Sequence, residues 1–170
     1  MTPAVTPGRL RLGSCPDSWG VWFADDPRQT PWRRFLDELA GVGYEWLELG
    51  PYAYLPTDPA RLTEELGRRG LAVAGGTMHG ESGLHRPDEW PAIVDKTRKV
   101  ADLTAAVGGR HVVFVPVPGY RDDTTGAYLE PAELDTDDWT TMVRATNELG
   151  KTRAHRRTHP GIPAGVGIGS

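Results

Sequence analysis

Three short stretches hold the side chains that could do chemistry. The first runs Pro16-Asp17-Ser18-Trp19-Gly20-Val21-Trp22-Phe23-Ala24-Asp25-Asp26-Pro27. It gathers two indoles, a phenyl ring and three carboxylates within twelve positions. Aromatic faces stack on the C–H faces of a polyol, and carboxylates accept hydrogen bonds from its hydroxyls. Asp17, Trp19 and Trp22 are therefore candidate substrate-binding residues. The structural alternative makes the tryptophans an aromatic plug, with Asp25 and Asp26 in a solvated turn.

The second stretch is Glu48-Leu49-Gly50-Pro51-Tyr52-Ala53-Tyr54. In an extended YEWLELG segment, Glu48 shares a face with Trp46 and Tyr44, while Glu45, Leu47 and Leu49 share the other. A carboxylate at the end of a buried strand is costly unless it is paired or does work. Glu48 is thus the strongest single candidate, its alternative being a salt bridge to an arginine. Tyr52, in the loop that follows, joins the candidate set. The third stretch is Thr77-Met78-His79-Gly80-Glu81-Ser82-Gly83-Leu84-His85. His79 stands where a base or binding group would stand, and His85 lies further out. Gly75 and Gly76 suit either close packing or the approach of a ligand.

No set of metal ligands emerges. The single cysteine, Cys15, excludes a multi-cysteine site and an internal disulfide, and His155 and His159 match no metal spacing. Neither a G-x-G-x-x-G nor a P-loop motif is present.

Four repeats of one pattern must position these stretches. Apolar runs at Arg9–Cys15, Tyr44–Leu49, Leu71–Thr77 and His111–Val117 each precede a loop and an amphipathic segment. The pattern predicts an α/β fold with parallel strands and right-handed crossovers. The strands are nearly all apolar, as when both faces of a sheet are covered. The first helix follows Thr30-Pro31, with Thr30 as cap, and carries Trp32, Phe35, Leu36 and Leu39 on one stripe. The second opens at Asp58-Pro59 and buries Leu62 and Leu66. The third runs from about residue 88 to 107, and Gly108-Gly109 end it. The fourth begins near Thr136 with a stripe of Trp139, Met142, Val143 and Thr146. Pro116 cannot donate to a ladder and belongs at a strand end or a sheet edge. In such folds ligands bind at the carboxyl ends of the strands, where the three stretches fall.

At 170 residues, 38 % hydrophobic and 25 % charged, the chain reads as one soluble domain with a core. No apolar run reaches the roughly 20 residues that span a bilayer, and no signal peptide is read at the start. The cytoplasm is the expected compartment, and membrane is not an expected partner. The net charge of −4 divides unevenly: residues 151–170 carry +4 and the rest −8. An acidic body argues against nucleic acid. Three segments are expected: a flexible start (1–8), a partial β/α barrel (9–150) and a disordered basic Gly/Pro-rich tail (151–170). The tail reads either as a native extension or as a reading frame lost near Gly150. The rhythm, stopped without a closing element, favours the second.

The strings CPDSWGVWFADDP, GYEWLELGPYAYLPTDPARLTEELGRRGL and AVAGGT resemble the xylose-isomerase-like superfamily of sugar phosphate isomerases and epimerases. Within it they are most similar to inosose dehydratase-like members. The resemblance covers residues 9–149. It implies the N-terminal half, about four β/α units, of a TIM barrel acting on a sugar or cyclitol by metal-assisted proton transfer. It implies a divalent metal (Mn, Co or Mg) in full-length relatives, held by a Glu, Asp, His, Glu set on later strands. No residue of this sequence can be assigned to that set, so no bound metal and no turnover are expected of this chain. A non-catalytic polyol-binding fragment is the alternative, as is an unrelated doubly wound domain of flavodoxin-like form. Open edges on the first and fourth strands invite self-association.

Overall fold

A computed structural model describes residues 10–116, 127 and 133–151, with the side chains of 79–82 and 116 outside the description. The two terminal segments expected to be flexible, 1–8 and the tail beyond Lys151, lie outside the described residues. Four strands, β1 (Gly13–Ser14), β2 (Trp46–Glu48), β3 (Ala72–Glu81) and β4 (His111–Pro116), alternate with α1 (Trp32–Gly41), α2 (Pro59–Gly67), α3 (Trp90–Ala106) and α4 (Thr136–Gly150). All pairings are parallel, in the order β1-β2-β3-β4. This is the arrangement of half of an eight-stranded β/α barrel. The order never reverses, so the doubly wound alternative, which needs a switch point, is excluded for the described sheet.

The described helices pack on one face of the sheet. Leu47, Leu49 and Val73 from the strands join Phe35, Leu36, Leu39, Leu62 and Leu66 from α1 and α2 in the main core. Leu84, Ile93, Ala145 and Leu149 form a second cluster against Phe114. The apolar composition of the strands predicts two covered faces, but the opposite, inner face is open among the described residues. Val113 is 39 % exposed and Val115 36 %. In a barrel that inner face is covered by strands across the lumen.

Local signals set most element boundaries. Asp58 caps α2 by accepting from the Arg61 amide at 2.8 Å, with Pro59 in the first turn. Asp135 caps α4 through the amides of Asp137 and Asp138. Thr30 does not cap α1: its hydroxyl donates to the Trp19 carbonyl instead, and Pro31 holds the cap position with no side-chain bond. A 3₁₀ turn, Pro87–Glu89, precedes α3 and delays its start. The expected stripe of α4 is rotated. Ala145 and Leu149 are buried, while Trp139 is 57 % exposed and Val143 is exposed too. The reason is that α4 packs against the 3₁₀ turn Ser82–His85 and Ile93 of α3, which reaches a different side of the helix. Pro116 ends β4 at the rim of the described sheet, where its missing N–H costs nothing.

One ion-pair network fastens α1 to α2. Arg69, just beyond α2, binds Glu65 at 2.7 Å and Asp37 of α1 at 2.6 Å. The hydrogen bond from Arg69 holds the Glu65 carboxyl below its ordinary range. A carboxylate lowered by folding stabilises the fold above its unfolded pKa, and that stabilisation fades as pH falls through the folded value. Glu65→Gln is therefore expected to lower Tm at pH 7. The gap from the parent should close as pH drops below about 4, checked by thermal melts at a series of pH values.

Candidate functional site

The site forms where the loops after β1 and β2 meet the carboxyl ends of β2 and β3. Glu48 is the last residue of β2, and Trp46 lies two residues before it on the same face. Leu47 and Leu49, of opposite parity, are buried under the helices. Glu48 consequently faces the open inner side, partly buried. It is not paired with an arginine among the described residues. Instead the Thr77 hydroxyl donates to Glu48 Oε2 at 3.1 Å.

Thr77 reaches Glu48 because β3 carries a bulge. The β2–β3 register steps from Leu47↔Val73 to Glu48↔Gly75, leaving Ala74 as the extra residue. Val73 points to the helices, where its Cγ1 approaches Gly109. By simple alternation Thr77 would point there too. One inserted residue turns every later side chain of the strand to the other face. Gly76 now faces α3, where an added Cβ would collide with Thr104 and Val100. Gly76 thus serves helix packing rather than ligand approach.

An open cleft of about 890 Å³ runs along the inner face, from Leu10 and Arg11 past Trp46 and Ala74 to Cys15 and Glu48. Near its carboxyl end Ser14 Oγ donates to Ser18 Oγ at 3.2 Å, and Cys15 Sγ lies 3.9 Å from Ser18 Oγ. The structure thus puts a carboxylate, three hydroxyls and a thiol on one stretch of rim.

The other candidates are placed differently. Trp19 turns away from the cleft. Its ring meets Phe35 edge-on at 5.1 Å, and its N–H donates to Glu38 of α1 at 2.8 Å. Arg34, and then this indole, hold the Glu38 carboxyl below its ordinary range. Asp17, partly buried, sits in the 3₁₀ turn Pro16–Trp19, beside Ser18. Trp22 is half exposed in the following loop. Asp26 closes a local turn with Arg28, which holds its carboxyl low, as the solvated-turn reading has it. Tyr52 packs on the helix-side core and borders a narrow gap with Leu49, Val100 and Leu103. His79 belongs to β3, its Cα paired with Val115, and its side chain lies outside the described residues. Glu48 is therefore the one sequence-predicted candidate whose side chain is described and lines the cleft. Thr77 and Ser14 were missed, since hydroxyls carry no signal of their own in sequence.

The β1 and β2 loops are pressed together at Gly50. It has φ +67°, and a Cβ there would lie 2.5 Å from Pro16 Cγ. Tyr54 locks the same loop by donating to the Thr30 carbonyl at 2.9 Å, and burial pushes its phenol up to about 12. Gly50→Ala combines the left-handed penalty with a clash. It is expected to destabilise by about 2–3 kcal/mol, read from urea midpoints. In an alkaline absorbance titration Tyr54 should give an ionisation step near 12, and Tyr54→Phe should remove that step. A raised phenol stabilises the fold below the unfolded value and loses that contribution as pH rises through about 12.

Among the described residues no group of three or more His, Cys, Asp and Glu side chains is placed to hold a metal ion. The divalent metal implied by the resemblance has no ligand set among these described side chains. Nor, among these residues, is any helix long and apolar enough to cross a membrane.

No family model and no curated protein matches this chain in sequence. Solved structures do match in fold. D-psicose 3-epimerase with D-tagatose from Clostridium cellulolyticum H10 superposes with a TM-score of 0.57 at 14 % identity, over 84 % of this chain and 48 % of that one. D-allulose 3-epimerase from Methylomonas sp. in complex with D-allulose gives 0.52 at 24 %, over 84 % and 47 %. A sugar phosphate isomerase/epimerase from Parabacteroides distasonis ATCC 8503 gives 0.53 at 17 %, over 88 % and 50 %. The chain spans about half the length of each. Its fold is that of half of an eight-stranded β/α (TIM) barrel.

Proposed function

We propose that this chain forms one wall of a sugar- or cyclitol-binding site, in a barrel of the sugar isomerase and epimerase type. The observation that carries the reading is Glu48 at the carboxyl end of β2, facing an open cleft and held by Thr77. Active sites of β/α barrels sit at that end. The similarity in fold to two ketohexose 3-epimerases, each with a ketohexose bound, supports the substrate class.

Glu48 would accept a hydrogen bond from a ligand hydroxyl or take a proton from the carbon beside a carbonyl. Thr77 occupies Oε2 and fixes the carboxylate plane. The hydroxyls of Ser14 and Ser18 offer further polar contacts on the same rim. His79, two residues beyond Thr77, is proposed to face the ligand as well, and Asp17 and Trp22 to border it. Dehydration of a keto-cyclitol would draw on the same carboxylate as base. The single cysteine suits a reducing, cytoplasmic setting.

Titration of the ¹⁵N-labelled chain with D-allulose and with a keto-inositol tests the reading. Amide shifts are expected at residues 14, 15, 17, 18, 48 and 77. Glu48→Gln should weaken binding about tenfold while the far-UV spectrum stays unchanged, the size expected for one hydrogen bond to a charged group. Binding unaffected by Glu48→Gln, or shifts confined to other surfaces, overturns the assignment. Product analysis by NMR in the same samples separates isomerisation, epimerisation, dehydration and binding without turnover.

A further inference from the structure

We infer that Glu38, on the helix side of the fold, is a positioning residue for the candidate site. It latches Trp19, and through Trp19 it sets where the Ser18 hydroxyl and the Cys15 thiol stand on the rim. The inference rests on the reading of that rim as a ligand-binding wall.

The turn Pro16–Trp19 is closed by its own backbone. The Ser18 amide donates to the Cys15 carbonyl at 3.1 Å, the Gly20 amide to Asp17 at 3.0 Å and the Val21 amide to Pro16 at 3.2 Å. Side chains fasten this small unit at its two ends. Pro16 is fully buried and wedged against Gly50. Trp19, at the other end, donates its indole N–H to Glu38 Oε2 at 2.8 Å. Asp17 and Ser18 lie between the two anchors. A unit held at both ends keeps its orientation, whereas one held at Pro16 alone can swing and carry Ser18 with it. The Thr30 hydroxyl holds the Trp19 carbonyl at 3.1 Å, but a bond to the main chain leaves the indole free to rotate. The edge-on contact with Phe35 is apolar and tolerates sliding. The directional bond to Glu38 is what fixes the ring.

Glu38 is itself held firmly. It stands in α1 beside Phe35, Leu36 and Leu39, none of which has exposed surface. Arg34, one turn earlier, donates to Oε1 at 2.7 Å. The two carboxylate oxygens are thus divided, one to the helix's own arginine and one to the loop. A charged acceptor makes the indole bond stronger than a neutral one would be. On the rim, Ser18 Oγ accepts from Ser14 Oγ at 3.2 Å and lies 3.9 Å from Cys15 Sγ, so movement of Ser18 alters both neighbours. Ser14 and Cys15 line the same cleft as Glu48. Glu38 lines no part of it, so its influence there passes through Trp19.

Alkylation of Cys15, the single cysteine, by iodoacetamide reads the rim with no sugar present. Glu38→Leu is expected to speed it about fivefold, the factor for one net hydrogen bond, and to move the amide signals of residues 15, 17 and 18. Glu38→Gln, whose amide oxygen still accepts from the indole, should return the rate to that of the parent. Trp19→Phe keeps a ring on Phe35 and lacks the N–H, so it should match Glu38→Leu. The double variant should be no faster than either single one, because both remove the same bond. D-allulose binding should weaken in Glu38→Leu and recover in Glu38→Gln. An alkylation rate unmoved by Glu38→Leu, a glutamine variant as altered as the leucine one, additive single effects, or sugar binding that ignores a displaced rim each overturn the inference. A rim that responds as expected while the parent chain binds no sugar keeps the latch and overturns the ligand-binding reading instead.

Discussion

Leu47 has no exposed surface. It stands on β2 between two strands, beneath the leucines of α1 and α2, and burying such a side chain is worth about 2 kcal/mol. Around it the helix-side core assembles from Phe35, Leu36, Leu39, Leu62 and Val73. This one-sided burial is the constraint on which the rest of the structure depends. It sets which face of each strand is covered. By alternation it also sets which side chains are turned to the other face. Trp46 and Glu48 face inward because Leu47 faces outward.

The same burial decides the direction of every strand. Each helix must lie back along the outer face before the chain re-enters the sheet, so all strands run the same way and their carboxyl ends form one rim. The Cys15 turn, Glu48 and Thr77 are far apart in sequence and meet on that rim. The two loops nearest them are fastened by apolar and polar contacts together. Gly50 lets the β2 loop approach Pro16, Tyr54 ties that loop to Thr30, and Trp19 anchors the β1 turn to Glu38. An indole in this position does structural work at the root of the loop, which leaves the rim itself to smaller polar groups.

A sheet covered on one side leaves a second face to be covered by something. Among the described residues its exposed valines and its four parallel strands have the shape of a barrel wall rather than of a finished sandwich. The candidate site lies on that same inner face, where Glu48 borders the cleft.

Much of this was legible from sequence because it rests on local chemistry. The fourfold strand–helix rhythm, the Asp58-Pro59 start of α2, the opposite faces of Leu47 and Glu48, and the marginal place of Pro116 all follow from neighbouring residues. Propensity, capping and two-residue alternation act within a few positions. What lay beyond the sequence depends on contacts between distant segments. Trp19 reads as a ligand platform until Glu38 and Phe35 are placed beside it. Trp139 and Val143 read as a core stripe until α4 is seen to pack on Ala145 and Leu149 instead. The Ala74 bulge is a mismatch of register between two strands, and no single strand records it. Only the pairing of β2 with β3 turns Thr77 toward Glu48. The sequence by itself determined which elements form and which face of each strand starts out apolar. The tertiary structure alone decided which polar groups share the rim, because that choice is made by register and packing between segments that local rules do not connect.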